Sequence, residues 1–275
     1  MSDYDGTLCP TASIVSGNNT IPPDLLSALW SISTKIPICI VSSKDLIFLR
    51  DRTQFARIIS SLMGIECTRL SPATSDEWLS NKTSNIITEY QLIDAVSITR
   101  NSKTLGQIAQ EVRKEFQGIK IGSKFTYLDH RLAGFTVDYR HFGKWEQFKA
   151  NIEPELRKMI KRLINSSASK NIFLQTYADH PFLDLYAGES DKGKAMDTVI
   201  RLLKDKQGKL LYLGDSETDN PAFKKADLSI GIRSDLRINT KLNSDYILEF
   251  NELRPFLQKL ENEDFIFDRM SQNLT

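Results

Sequence analysis

Residues 209–220 read KLLYLGDSETDN, and this stretch decides the fold class because an apolar run passes directly into a glycine and a group of carboxylates. Lys209 to Leu213 is short, apolar and closed by Gly214, as in a buried strand of a parallel sheet. Asp215 and Asp219 follow at the carboxyl end of that strand, where open α/β sheets place their ligand crevice. Carboxylates there suit magnesium, which takes one or two of them with waters and substrate phosphate. An acidic helix start with favourable dipole interactions is the alternative.

Similar apolar runs alternate with helical patterns along the chain, which predicts an α/β protein with a parallel sheet. Further strands are predicted at residues 36–41, 227–232 and 245–248. Helices are predicted at residues 23–34, 45–63, 193–206, 222–226 and 252–262.

The middle of the chain has a different pattern of helix, strand pair, helix and strand pair, which is typical of a small α+β domain. The helices are predicted at 103–116 and 145–164, and the strands at 120–127, 134–139, 171–176 and 182–186. Because the α/β pattern resumes afterwards, we expect a core of residues 1–97 and 187–275 with an inserted domain of residues 98–186.

Two carboxylates lie two residues apart in the first segment, where Asp3 and Asp5 precede Gly6 and Thr7. A carboxylate can attack phosphorus and form an aspartyl phosphate, and a neighbouring carboxyl can protonate the leaving oxygen and then activate water. Gly6 lets the backbone turn and approach a ligand closely. The same pattern also suits calcium loops and plain turns, so both interpretations stay open at this point.

Two further polar segments lie at predicted element ends, with Ser42 and Ser43 after the strand 36–41 and Lys192 at a helix start. A hydroxyl at a strand end can bind a phosphoryl oxygen, and the alternative is an N-cap for the following helix. The two are compatible, since Ser43 could cap the helix while Ser42 faces the crevice. An ammonium group beside a phosphoryl group offsets its charge and that of a carboxylate nucleophile, although a single lysine is usually a surface residue. Together the segments supply the groups that phosphoryl transfer needs.

Composition narrows the class of protein. The chain has 36 basic and 35 acidic residues and no basic stripe, which argues against a nucleic-acid partner. No apolar run approaches the roughly 20 residues that span a bilayer, and the sequence shows no signal-peptide pattern. The three cysteines lack Cys-x-x-Cys spacing and predict neither a disulfide framework nor a zinc site. We therefore expect a cytoplasmic protein with no membrane partner.

The four segments occur in one order, and the chain thereby resembles the haloacid dehalogenase-like phosphatase superfamily. The resemblance implies a Rossmann-like core and Mg²⁺-dependent hydrolysis of a phosphate ester through a phospho-aspartate. The roles that it implies are Asp3 as nucleophile, Asp5 as acid/base, Lys192 as charge-stabilising lysine, Ser42, Ser43, Gly6 and Thr7 around the phosphate, and Asp3, the carbonyl of Asp5, Asp215 and Asp219 around the metal.

The insertion falls between the second and third motifs, as in the α/β-capped class of this superfamily. Within that class the chain looks most like the trehalose-6-phosphate phosphatases, through residues 128–140 (LDHRLAGFTVDYR) and 213–223 (LGDSETDNPAF). The resemblance implies a cap that selects the sugar, with Arg131, Arg140 and Asp184 as candidate contacts. We expect trehalose-6-phosphate or a similar sugar phosphate as substrate. Sucrose phosphate, mannosyl-3-phosphoglycerate and a non-catalytic sugar-phosphate sensor are the alternatives.

Two features depart from the family pattern. The second motif usually reads Ser-Gly-Arg and here reads Ser42-Ser43-Lys44. Asp3 follows only Met1 and Ser2, where the family has an apolar strand. We expect either that the natural protein begins upstream or that another segment fills this strand position.

Overall fold

The computed structural model describes residues 1–10, 19–71, 86–167, 169, 171–177, 180–203, 208–233 and 241–266. The chain forms two compact units, a core unit (Met1–Gln91 with Asp191–Thr275) and an inserted unit (Leu92–Ser190). No helix among the described residues is long and apolar enough to cross a membrane.

The described helices are α1 (Pro23–Ser33), α2 (Leu46–Arg52), α3 (Ala95–Glu115), α4 (Trp145–Asn151), α5 (Glu153–Ser166), α6 (Lys192–Leu203), α7 (Asn220–Phe223) and α8 (Leu253–Asn262). The described strands are β1 (Cys39–Val41), β2 (Ile58–Ser61), β3 (Glu66–Leu70), β4 (Ile87–Leu92), β5 (Lys120–Phe125), β6 (Leu132–Asp138), β7 (Phe173–Thr176), β8 (Phe182–Tyr186), β9 (Leu211–Gly214), β10 (Leu228–Arg233) and β11 (Tyr246–Glu249).

The core sheet is built largely from parallel pairs, with β1 on β2 and β10 between β9 and β11, and only β3 runs antiparallel to β2 among the pairs with a described register. The amino-terminal segment (Met1–Asp3) joins its two halves, because Ser2 bridges Ile40 of β1 and Leu213 of β9, both in parallel. The amide of Asp3 donates to the Leu213 carbonyl at 2.9 Å. This segment therefore fills the position between β1 and β9, and the predicted α/β class is confirmed.

Buried apolar side chains pack helix α6 against the sheet of the core unit. Helix α6 contacts β1, β2 and β3 through Met196 and Val199, which are fully buried beside Val41 and Ile58. All three residues of β1 are buried, as expected for a strand covered on both faces. This packing holds the start of α6 near the strand ends.

The inserted unit has an antiparallel sheet with strand order β5–β6–β8–β7. Along β6, Ala133, Phe135 and Val137 are fully buried, and α3 packs against this strand. Because side chains alternate along a strand, Gly134 and Thr136 lie on the other face of the sheet. This second face carries polar groups.

Two helix predictions need correction. The helix predicted at 45–63 ends at Arg52, and residues 58–61 form β2, because the adjacent isoleucines Ile58 and Ile59 are both fully buried between neighbouring strands. The single helix predicted at 145–164 is two helices that meet at Ile152, where Pro154 in the first turn of α5 has no amide to continue the hydrogen-bond ladder. The helix predicted at 193–206 is described only to residue 203, since 204–207 lie outside the described residues.

Candidate active site

Three carboxylates meet at the carboxyl edge of the core sheet. Asp3 ends the amino-terminal segment, and Asp215 and Asp219 follow β9, so the parallel arrangement brings them to one edge. Each offers a carboxylate oxygen within 4.8 Å of the others. All three side chains are buried, and Asp219 is fully so. Such a group of hard oxygens suits a divalent cation such as magnesium.

Lys192 is the cation of this group. Its Nζ lies 2.7 Å from Asp3 Oδ2 and 2.7 Å from Asp219 Oδ1, and its side chain is 2% exposed. Burial lowers the pKa of Lys192, but the charges of Asp219 and Asp3 outweigh it and raise the pKa above its ordinary value. The lysine is therefore an ammonium ion held between two carboxylates.

The protonation of Asp3 reflects opposing influences. Burial raises the pKa of Asp3 from its ordinary value to about 6, although the Lys192 charge opposes this shift and Asp219 adds to it. Because the site has three carboxylates and one lysine, it holds more negative charge than Lys192 alone neutralises. A bound cation would favour the ionised form of Asp3.

Asp219 has both oxygens occupied by hydrogen bonds from this chain. Oδ1 accepts from Lys192 Nζ and from the Tyr212 hydroxyl, each at 2.7 Å. Oδ2 accepts from the amide of Asp215 at 3.2 Å and from the amide and hydroxyl of Ser216, both at 3.1 Å. A carboxylate has only about four lone-pair sites, so these bonds fix Asp219 and leave it little capacity for a metal.

Two glycines let the carboxylates approach the backbone closely. Gly6 has φ +78°, and a Cβ on it would lie 1.9 Å from Asp215 Oδ2. A Cβ on Gly214 would lie 2.4 Å from Asp219 Cγ. Only glycine fits either position without moving a carboxylate of the site.

Asp5 and Thr7 present polar atoms that the described residues do not satisfy. Asp5 Oδ2 pairs with Lys44 Nζ at 3.0 Å, while its buried Oδ1 has no hydrogen-bond partner within the described residues. The fully buried Thr7 hydroxyl also has no partner there. Buried polar atoms without partners are rare, and here they point to a missing ligand.

The second motif lies beside Asp5. Ser42 is fully buried directly after β1, and its hydroxyl is 3.4 Å from the amide of Lys44. Asp45 caps α2 by accepting from the Phe48 amide at 2.8 Å, so the alternative that Ser42 or Ser43 caps this helix is wrong. Sequence reasoning left the role of Lys44 open, and the structure places its ammonium against the carboxylate of Asp5.

The sugar-contact candidates of the inserted unit do not form one cluster. Arg131 pairs with Asp129 at 2.7 Å, and Arg140 makes a two-pronged pair with Asp138. They flank opposite ends of β6, which is roughly 20 Å long. Both side chains are more than 40% exposed and are available to a ligand.

The third candidate, Asp184, accepts hydrogen bonds from side chains of the inserted unit itself. It is 1% exposed and accepts from Lys124 Nζ at 2.8 Å, from Tyr177 at 2.6 Å and from Thr136. Burial would raise the pKa of Asp184, but the Lys124 charge and these hydrogen bonds hold it below its ordinary value. Asp184 thus orients its neighbours, and its role as a sugar contact stays a prediction.

Lys124 is the residue of this face that sequence reasoning missed. Its ammonium contacts Asp184 and lies 2.9 Å from the Tyr186 hydroxyl, and its side chain is 11% exposed. Lys124 could not be singled out from the sequence, because its burial depends on a partner, Asp184, that lies on a strand distant in sequence.

A family model described as haloacid dehalogenase-like hydrolase matches residues 1–252. A solved structure of a trehalose-6-phosphate phosphatase related protein is similar at 19% identity and TM-score 0.60, covering 95% of this chain and 96% of that one. The C-terminal domain of a C. albicans trehalose-6-phosphate phosphatase is similar at 18% identity and TM-score 0.63, covering 94% and 90%. A subclass IIB sugar phosphatase is similar at 14% identity and TM-score 0.53, covering 96% and 98%. No curated protein sequence matches this chain significantly.

Proposed function

This chain belongs to the haloacid dehalogenase-like hydrolases, and we propose that it is a magnesium-dependent phosphatase that hydrolyses a sugar phosphate through a phospho-aspartate on Asp3. The observation that carries the proposal is the buried Asp3–Lys192–Asp219 arrangement with Asp215 beside it. A structural ion pair needs one carboxylate for each ammonium, whereas this site gathers three carboxylates around one lysine.

The residues present fit a magnesium ion. The carboxylates of Asp3 and Asp215, with the backbone carbonyl of Asp5, would hold it through hard oxygens. Asp219 supports this set indirectly, because its oxygens already bind Lys192, Tyr212 and the loop amides. When bound, the ion supplies charge neutralisation between the anionic nucleophile and the anionic phosphoryl group.

Side chains of this protein supply the nucleophile, the charge-stabilising lysine, the phosphate ligands and the general acid/base. Asp3 attacks phosphorus, and Lys192 stabilises the negative charge that both partners bring together. Thr7 and Ser42 donate hydroxyl hydrogen bonds to phosphoryl oxygens, which would satisfy the buried Thr7 hydroxyl. Asp5 protonates the leaving oxygen and then takes a proton from the water that hydrolyses the aspartyl phosphate. Its Oδ1, which has no partner among the described residues, is the atom available for that proton.

We assign substrate selection to the polar face of the inserted sheet. Its centre is Lys124, which Asp184 and Tyr186 hold in place, and Arg131 and Arg140 remain candidates for outer contacts. Ammonium and guanidinium groups suit the hydroxyls of a sugar, and the similar solved structures include trehalose-6-phosphate phosphatases. Trehalose-6-phosphate is therefore the first substrate to test, followed by sucrose phosphate and mannosyl-3-phosphoglycerate.

The test is phosphate release from an aryl phosphate and from these sugar phosphates, with magnesium and after chelation. Asp3→Asn should abolish release, because an amide is a poor nucleophile and a weaker metal ligand. Asp24→Asn is the matched control, since Asp24 makes an exposed pair with Arg254 in the same unit. Activity that survives chelation or Asp3→Asn would refute the mechanism. Sugar-phosphate binding without release by the unaltered protein would favour the sensor alternative.

A further inference from the structure

Tyr212 is a buried tyrosine directly behind the site. It lies on β9, its side chain is fully buried, and its hydroxyl donates to Asp219 Oδ1 at 2.7 Å. The same oxygen accepts from Lys192 Nζ at 2.7 Å. Phe223 packs edge-on against the Tyr212 ring, with centroids 5.6 Å apart and planes at 81°. Hydrogen bonds therefore run without a break from Tyr212 through Asp219 and Lys192 to Asp3.

We propose that Tyr212 is a positioning residue of the phosphatase reaction, which fixes Asp219 and thereby sets the place of Lys192 beside Asp3. This inference rests on the proposed function. Lys192 has a nucleophilic partner in Asp3 and a fixed partner in Asp219, so its position depends on how rigidly Asp219 is held.

The two oxygens of Asp219 are held by different parts of the chain. Oδ2 is bound by Asp215 and Ser216 of its own loop, whereas Oδ1 is bound by Tyr212 from the strand. Without the Tyr212 hydroxyl, Oδ1 keeps only the Lys192 bond among the contacts described here. The carboxylate can then turn and draw the ammonium away from Asp3. Misplacement of a catalytic group by about 1 Å can cost on the order of a hundredfold in rate.

Tyr212 acts as a neutral donor and not as a base. Burial first, and then the charges of Asp219 and Asp3, raise the pKa of its hydroxyl well above the ordinary value. The hydroxyl thus keeps its proton, and its contribution is the hydrogen bond.

Tyr212→Phe removes this hydroxyl and keeps the ring. With magnesium and an aryl phosphate, we expect kcat to fall about tenfold to a hundredfold, with KM changed by less than about twofold, because the position of Lys192 matters most as charge develops. Tyr90→Phe is the matched control, since Tyr90 donates to the buried Glu66 carboxylate in the same unit and neither residue has a proposed role in the reaction. Tyr90→Phe should leave kcat unchanged, although we expect both variants to lower the melting temperature by similar amounts.

A double-mutant cycle tests whether Tyr212 acts through Asp219. Adding Tyr212→Phe to Asp219→Asn should change the residual kcat by less than about twofold, since the oxygen that Tyr212 orients has already lost its charge. A full additional loss would overturn the proposal, as would an unchanged kcat in Tyr212→Phe alone. If Tyr212→Phe does not fold, Phe223→Leu loosens the Tyr212 ring and should give a smaller kcat loss at constant KM, and no loss would overturn the proposal. An unaltered protein without phosphatase activity would instead refute the proposed function.

Discussion

Each of the two units contains a buried lysine against buried carboxylates, and the two clusters differ in how completely their charges are matched. In the inserted unit, Lys124 pairs with Oδ1 of Asp184, the Thr136 hydroxyl donates to the same oxygen, and the Tyr177 hydroxyl donates to Oδ2. In the core unit, Lys192 pairs with Asp3 and Asp219, and Asp215 adds a third carboxylate to the same group. The pKa of Asp184 is lowered, whereas that of Asp3 is raised to about 6. A matched cluster holds a structure in place, and an unmatched one retains the electrostatic capacity to bind a ligand.

The strongest test of this difference replaces each lysine. Lys192→Met should reduce turnover of an aryl phosphate by about a thousandfold or more, since it removes the charge beside Asp3, the proposed nucleophile. Lys124→Met should change that turnover by less than about threefold, because a small substrate needs no sugar contacts. Breaking either buried pair should cost about 3–5 kcal/mol of unfolding free energy. The measurements are turnover of the aryl phosphate and urea unfolding for both variants. Equal losses of turnover would contradict the proposed difference between the two lysine clusters.

Gly6→Ala tests how tightly the carboxylates of the core unit pack against the backbone at Gly6. The added methyl group would meet Asp215 Oδ2 in a backbone with φ +78°, so Asp215 must move. We expect about a hundredfold lower kcat and weaker magnesium activation. Gly208→Ala is the control, because no described atom lies within 4 Å of its Cβ position. Normal magnesium activation in Gly6→Ala would show that Asp215 is not held by this contact.

The opposite pKa shifts predict opposite pH dependences of stability in metal-free protein. Asp3 has a folded-state pKa of about 6 against an ordinary 3.8, so the folded state binds its proton more tightly and loses stability as pH rises from about 4 to 6. Asp3→Asn should therefore be more stable than the unaltered protein at pH 7, on the order of 2–3 kcal/mol, and equally stable at pH 4.

Asp184 has a lowered pKa, so it contributes stability above its ordinary pKa and loses it as pH falls through the folded-state value, below about 4. Asp184→Asn should be less stable than the unaltered protein at pH 7, and the difference should shrink only below about pH 4. Urea unfolding between pH 3 and 7 measures both variants. The same sign for both at pH 7 would contradict the comparison.

Arg140 should have the smallest effect. Its guanidinium is largely exposed and paired with Asp138, so Arg140→Ala should lower kcat/KM for a sugar phosphate by about tenfold or less and leave an aryl phosphate unaffected. Arg254→Ala, which removes another exposed arginine, is the control. Equal losses on both substrates would indicate a role in folding.

Residues at strand ends were predictable from the sequence, because parallel strands bring their carboxyl ends to one edge wherever they lie in the chain. The convergence of Asp3 and Asp215 follows from that rule, although their catalytic roles stay predictions. The pairing of Lys124 with Asp184 was not predictable, since it depends on the register that places Thr136 opposite Asp184 across two strands distant in sequence. The helix predicted through Ile58 failed because local periodicity does not reveal burial on both sides.

The place of the amino-terminal segment has a consequence for biosynthesis. Ser2 pairs with Leu213, so the central contact of the core joins residues more than two hundred positions apart. Such long-range pairing carries a large loop-closure entropy and forms slowly. The inserted unit ends at Ser190, before β9 has been synthesised, and it is a compact unit of continuous sequence. On the ribosome the inserted unit can fold first, whereas Asp3 lacks its hydrogen bond to Leu213 until β9 has emerged.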